Sequence, residues 1–208
     1  MNASTFQITV EPSGRQFSAS GQETILAAAI HAGVGLPYGC KDGACGSCKY
    51  KKLSGEDTHD PYSETALSEA ELAAGLILTC RATATSDVVL ESRQVTGANA
   101  FPIKKMPVRV NALEKLSHDV MRVQLQLPAH TAFQFHAGQY LEFILRDGSR
   151  RAYSMATPPH VAANTPAIEL HIRHMPGGKF TDHVFGAMKE KEILRAEGPF
   201  GSFFLRED

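Results

Sequence analysis

Three of the four cysteines in the sequence share one glycine-rich stretch, Cys40-Lys-Asp-Gly-Ala-Cys45-Gly-Ser-Cys48, and the fourth, Cys80, stands alone downstream. A C-x4-C-x2-C spacing with a distant fourth cysteine is the arrangement that holds a 2Fe-2S cluster, in which each iron takes two thiolates. A loop curled around an inorganic core lets ligands close in sequence reach it from several directions. Gly39, Gly43 and Gly46 accept backbone angles closed to other residues. Together with the small Ala44 and Ser47 they let backbone N–H groups approach the sulfurs and offset the negative charge of such a centre. Structural zinc usually takes two closely spaced cysteine pairs, a pattern this loop does not offer. Cys40, Cys45, Cys48 and Cys80 are therefore the expected metal ligands.

A second set of residues lies in the other half of the chain, Arg151-Ala-Tyr153-Ser154 and then Gly177-Gly178-Lys-Phe-Thr181 at the start of a helical pattern. Glycines that open a helix expose unpaired N–H groups and the positive end of the helix dipole, which suits a pyrophosphate. An arginine can grip phosphate through two parallel hydrogen bonds, and a neighbouring aromatic ring can stack on a flat heterocycle. Any one of these residues is as readily a strand or turn residue, but their joint order fits a phosphate-bearing flavin.

The elements that would carry the two sets differ in kind. Phe6, Ile8 and Val10 alternate with polar residues, Pro12-Ser13-Gly14 turns the chain, and a short strand follows near Gln16 to Ala19. Ile25, Leu26, Ala29 and Ile30 mark one face of a helix over 23–32, ended by Gly33. After the cysteine loop come a strand near Lys49 to Leu53 and a helix from Ser68 to Ala74 with Glu71 as capping-box partner. Strands near Leu76 to Cys80 and Val88 to Ser92 complete a small α+β domain. Periodicity lapses at Thr-Gly-Ala-Asn-Ala-Phe-Pro, so a linker is expected over 96–105, between domains spanning 1–95 and 106–208. Beyond it, alternating sets such as Met121, Val123, Leu125 and Leu127 predict an antiparallel barrel. One helix is expected there, with Phe180, Val184, Phe185 and Met188 on a single face.

The stretch Leu36-Pro-Tyr-Gly-Cys40 to Cys48 resembles the 2Fe-2S ferredoxin domain of the oxidoreductase family, which implies a β-grasp fold over about residues 1–95. R-x-Y-S followed by G-G-x-x-T resembles the flavin-binding barrel of the ferredoxin-NADP reductase superfamily. Phe135-His-Ala-Gly138-Gln139-Tyr140 and Gly198-Pro-Phe-Gly201 match further stretches of it. The resemblance implies that Arg151 binds the flavin phosphate, Tyr153 packs on the isoalloxazine, Ser154 hydrogen-bonds near its reactive nitrogen, and Gly177, Gly178 and Thr181 hold the pyrophosphate. It also implies FAD rather than FMN. No residue of the chain is expected to act as a catalytic acid, base or nucleophile.

Such proteins normally continue into a nicotinamide-binding α/β domain, and no Rossmann-like strand, glycine loop and helix follow residue 201. The expectation is a fragment of a longer reductase that passes electrons from NAD(P)H through FAD to the cluster and on to an oxygenase or deoxysugar dehydratase component. NAD(P)H is expected as reductant only where that further domain is present. The alternative is a complete, non-enzymatic flavin and iron-sulfur carrier reduced by another protein. A net charge of -1 without basic clusters argues against nucleic acid as a partner. No apolar run approaches the roughly 18 residues of a membrane helix, and no signal peptide is recognisable, so the reducing cytoplasm is the expected compartment. Glu56, Asp57, Asp60, Glu64, Glu69 and Glu71 read as a solvated acidic face on which a redox partner could dock. His171 and His174 lie three apart on an alternating strand, hence on opposite faces, and are not expected to share a metal.

Overall fold

The computed structural model describes residues 4–93, 95, 101–129 and 131–204. It separates into two compact units, Met1–Ala100 and Phe101–Asp208. Residues 96–100 of the expected linker lie outside the described residues, while Lys104 and Lys105 already belong to a strand.

In the first unit β1 (Thr5–Glu11) and β2 (Arg15–Ser20) form an antiparallel hairpin, with Ile8, Val10, Phe17 and Ala19 turned inward. Helix α1 (Ile25–His31) starts where the Thr24 side chain accepts from Ala27 N and ends at Gly33, whose φ of +70 suits glycine. It buries Ile25, Leu26, Ala28 and Ala29. Next come β3 (Lys49–Ser54), β4 (Asp57–His59), α2 (Glu69–Ala73), β5 (Leu76–Leu78), β6 (Ala82–Ala84) and β7 (Val88–Glu91). The sheet order is β2-β1-β7-β3-β5, with β1 and β7 parallel, and β4 pairs with β6 in a small separate ladder. This is the β-grasp arrangement. The capping box is present: Ser68 N donates to Glu71 Oε2 at 2.9 Å and Glu71 N donates to Ser68 Oγ at 3.4 Å.

The second unit contains β8 (Lys104–Lys115), β9 (Val120–Gln126), β10 (Tyr140–Ile144), β11 (Arg150–Ser154), α3 (Pro159–Asn164), β12 (Ala167–Arg173), α4 (Lys179–Gly186) and β13 (Ile193–Phe200). Six antiparallel strands run β11-β10-β13-β8-β9-β12 around Val108, Val110, Leu125, Leu141, Phe143, Ile168 and Leu170. A bulge between Val110 and Ala112 lets the long β8 serve β13 with its first half and β9 with its second. The ladder is barrel-like without closing. Its edges are joined just past β11, where Ala156 N donates to Glu169 O at 2.8 Å and Glu169 N donates to Thr157 Oγ1 at 2.6 Å.

The expectation of a single helix in this unit is corrected: α3 is a second one. It opens on Pro158-Pro159, with proline at its first positions where no N–H is needed. Met188 lies beyond the end of α4, yet it is buried, its N–H donating to His183 O at 2.8 Å.

Candidate iron-sulfur and flavin sites

The cysteine loop is anchored to the sheet at its Cys48 end. Cys48 immediately precedes β3, and the antiparallel register Lys49↔Leu78 extends by a bond from Thr79 N to Cys48 O at 3.0 Å, which brings Cys80 beside Cys48. The Cys80 thiol hydrogen-bonds to the Cys48 sulfur, and this bond lowers Cys48 to about 7 while it and burial raise Cys80. Cys40 and Cys45 form the other pair: Cys40 N donates to Cys45 Sγ at 3.4 Å, and Ser47 Oγ lies 3.3 Å from the same sulfur. Burial works against the Cys45 thiolate, yet the Cys40 N–H and the Ser47 contacts outweigh it, so this thiol titrates low. Burial and Asp42 push Cys40 up. Cys48 and Cys80 are buried, Cys40 is half-buried and Cys45 is exposed.

Two positions show why the loop requires glycine. Gly43 has φ +79, and a Cβ there would stand 2.8 Å from Tyr62 Cβ and 2.9 Å from Arg81 Cγ. At Gly39 a Cβ would intrude to 3.0 Å from Cys45 Sγ. Among the described residues no three His, Cys, Asp or Glu side chains converge as around a single ion. The thiols are instead paired two and two, which suits a centre of two irons with two thiolates on each. The four residues thus fit the cluster by donor type, by pairing and by the N–H groups aimed at sulfur.

In the second unit the strand period puts Arg151 and Tyr153 on one face of β11, opposite Phe143 and Leu141 of β10, and Ser154 on the other face. Tyr153 is half-buried, and its ring meets Phe180, in the first turn of α4, at 5.2 Å between centroids. This contact joins the two motifs, which are distant in sequence. A second tether is Lys179 Nζ to Asp147 Oδ2 at 2.6 Å, which fixes the N-terminus of α4 to the β10–β11 turn. Lys179 and then Ser149 hold the Asp147 carboxyl well below the usual range. Gly178 is the N-cap of α4 and no side chain caps the helix, so its first-turn N–H groups stay available for an anion.

Thr181 takes a supporting place. Its hydroxyl is buried and donates to Met175 O at 2.8 Å while accepting from Met175 N at 3.2 Å, so it braces the 175–178 turn instead of facing outward. Gln139 was legible only as part of a motif, and the structure explains it. Fully buried, it donates to Gly201 O at 3.1 Å and accepts from His136 N at 2.8 Å, and its own carbonyl accepts from Met155 N at 3.1 Å. Gln139 therefore holds the end of β13 with its side chain and the end of β11 with its backbone carbonyl. Glu142, also buried, and Glu197 share Arg150 Nη1 at 2.9 and 2.5 Å. A polar residue inside an otherwise apolar strand was the available signal for Glu142.

The acidic face is corrected at one position, since the Asp57 side chain is 2% exposed and paired with Lys52 at 2.5 Å; Glu71 stays partly exposed, with Ser68 and Lys49 as its partners, the latter at 2.6 Å. His171 pairs with Glu169, while His174 lies past the end of β12 and pairs with Asp182.

Residues 8–85 match the family of 2Fe-2S iron-sulfur cluster binding domains, and residues 107–205 match the family of oxidoreductase FAD-binding domains. The chain is a 2Fe-2S ferredoxin domain joined to an FAD-binding oxidoreductase domain. The chain is 38% identical over 204 residues to the CDP-6-deoxy-L-threo-D-glycero-4-hexulose-3-dehydrase reductase of Yersinia pestis, a match covering 98% of this chain and 60% of the relative. The reductase component 1 of terephthalate 1,2-dioxygenase from a Comamonas species is 34% identical over 202 residues, 97% of this chain and 58% of its own. Among solved structures, the Amycolatopsis cytochrome P450 reductase GcoB superposes with a TM-score of 0.80 at 33% identity, covering 97% of this chain and 59% of that one. The ferredoxin and flavin domains therefore span about 60% of the length of the curated relatives. Among the described residues no helix is long and apolar enough to cross a membrane.

Proposed function

We propose that the chain is the electron-transferring part of a reductase in which NAD(P)H reduces FAD, FAD reduces the 2Fe-2S cluster, and the cluster reduces an acceptor protein. Bound FAD takes two electrons together and gives them up singly, and the cluster carries one at a time. Cys40 and Cys45 would ligate one iron and Cys48 and Cys80 the other. The observation that carries this reading is the two-and-two pairing of thiols on a loop whose glycines keep backbone N–H groups against sulfur.

On the flavin side, Arg151 would neutralise phosphate, and Tyr153, seated against Phe180, would offer its ring to the isoalloxazine. Ser154, on the other face of the strand, would donate toward the ring nitrogen. The turn at Gly177 and Gly178, braced by Thr181, would present the first-turn N–H groups of α4 to the pyrophosphate. NAD(P)H would be served by the portion of such reductases outside the matched region. The acceptor would be an oxygenase or dehydratase component, by analogy with the proteins that the named reductases serve. We place the ferredoxin domain at 1–95 and the flavin domain at 106–208; two compact units support the division into two domains, with β8 starting at Lys104. A cytoplasmic location suits cysteines whose role is cluster ligation instead of disulfide bonding.

The absorption spectrum of the protein tests this directly. Bands of a 2Fe-2S centre and of oxidised flavin are expected together. Cys45→Ser should remove the first set alone, and Arg151→Gln should weaken flavin retention alone. A colourless protein, or loss of both sets in either variant, would contradict the assignments.

A further inference from the structure

Beside the cysteine loop the ferredoxin domain buries a group of charges that ligation does not use. Asp57 and His59 sit two apart on β4, Lys52 on β3, Tyr62 in the following loop, and Arg81 directly after Cys80. Most of this charge cancels locally. Lys52 Nζ donates to Asp57 Oδ1 at 2.5 Å. His59 Nδ1 lies 3.2 Å from Asp57 Oδ2, its ring meeting Tyr62 edge-on at 5.6 Å. Burial, helped by Lys52 and opposed by Asp57, lowers the His59 pKa and favours the neutral ring. On the loop itself Lys41 and Asp42 are of opposite sign, and Lys49 is paired with Glu71.

Arg81 is not cancelled in the same way. Its nearest carboxylate, Asp60, is 4.0 Å away and 63% exposed, so solvent screens it. Arg81 Nε is buried and, among the described residues, has no hydrogen-bond partner. Its stem lies against Gly43: a Cβ on that glycine would fall 2.9 Å from Arg81 Cγ and 3.2 Å from Cδ. The Gly43 N–H in turn donates to the Cys80 sulfur. The Arg81 side chain is 25% exposed, so its charge is partly desolvated, and with so little compensation it favours negative charge supplied nearby. The cysteine site supplies it once loaded, because four thiolates outweigh the positive charge of the two-iron core. Reduction then adds one electron, hence one more negative charge, with no bond made or broken.

We propose that Arg81 is an electrostatic positioning residue for the cluster, a partly buried cation seated on the loop between Gly43 and Cys80 that favours the reduced over the oxidised state. The inference rests on the ligation by Cys40, Cys45, Cys48 and Cys80 proposed above. Arg81 does not touch the reacting atoms; it acts through its charge and through the stem that backs Gly43.

The test is an anaerobic redox titration of the holoprotein followed by the cluster's visible bands, with iron content measured in parallel. Arg81→Met keeps an unbranched stem against Gly43 and removes the charge, whereas Arg81→Lys keeps both. At an applied potential near the parent midpoint, the reduced-to-oxidised ratio should fall on the order of tenfold in Arg81→Met, the size expected for one nearby charge in a partly screened interior. For a one-electron couple this is about 59 mV toward more negative potential. Arg81→Lys should stay within about twofold of the parent. Asp60→Asn, a change at an exposed side chain, should raise the ratio slightly at low salt. An unmoved ratio in Arg81→Met overturns the proposal, and so does an equal fall in Arg81→Lys, which would make shape the cause. Should Arg81→Met fail to retain iron, a fall in Asp60→Asn overturns it and a rise supports it. Absence of iron-sulfur bands from the parent would instead sink the ligation on which the inference rests.

Discussion

Replacing Gly178 with alanine isolates the contribution of the α4 N-terminus to flavin binding. Gly178 has φ -78, which any residue adopts, so alanine brings no backbone strain and acts by contact alone. The new Cβ would stand 2.6 Å from Thr181 Oγ1 and 2.8 Å from Met175 O. Neither neighbour can yield freely. Thr181 is buried and its hydroxyl is committed to both the carbonyl and the N–H of Met175, and the carbonyl is backbone. The 175–178 turn must therefore shift, at the usual overpacking cost of about 1–3 kcal/mol. That cost falls on the conformation that aims the first-turn N–H groups outward, so the FAD dissociation constant should rise about 10- to 100-fold, each decade being about 1.4 kcal/mol. Gly177→Ala is the control. At φ +81 with nothing within 4 Å of its Cβ, it should lose about 1–2 kcal/mol of folding stability through left-handed strain and perturb affinity less. Fluorescence titration of the flavin-stripped protein with FAD, paired with thermal unfolding, separates the two effects. A Gly178→Ala protein that binds FAD within twofold of the parent would refute the reasoning, as would Gly177→Ala proving the more damaging to affinity.

Two further outcomes follow from paired charges. Arg150→Met leaves the buried Glu142 and the half-buried Glu197 without their shared guanidinium, and a loss of about 2 kcal/mol is expected in denaturant unfolding of the flavin domain; Glu142→Gln combined with Arg150→Met should recover part of it. The Glu71 carboxyl is lowered from 4.5 to about 2, first by Lys49 and then by the Ser68 cap, so the folded state binds fewer protons than the unfolded state between those values. Its contribution is present above about pH 4.5 and is lost as pH falls through about 2. Thermal unfolding across that window should therefore decline less steeply in Glu71→Gln than in the parent, and parallel profiles would contradict the assignment.

Short-range features were readable in the sequence. Three of the four cysteines lie within one loop, and their spacing pointed to the 2Fe-2S family that residues 8–85 match. Ser68 and Glu71, three apart, announced a capping box that the structure contains. Strands long enough to alternate, such as β9 and β12, declared themselves by period. By contrast β4 and β6 are three residues each, too short to show alternation, and α3 hides behind two prolines. Asp57 was read as solvated because composition cannot register the Lys52 ammonium that its carboxylate meets across a turn.

By itself, then, the sequence determined the types of groups available and their local order, because cap chemistry, strand period and glycine loops depend on neighbours a few residues apart. Tertiary structure decided which distant groups meet. The β3–β5 register sets Cys48 beside Cys80, the contact of Tyr153 with Phe180 brings β11 to the helix proposed to face phosphate, and partial burial leaves Arg81 with an unpaired Nε next to the cysteine loop. Those meetings depend on packing and on the loss of solvent screening, which arise only when the whole chain is folded.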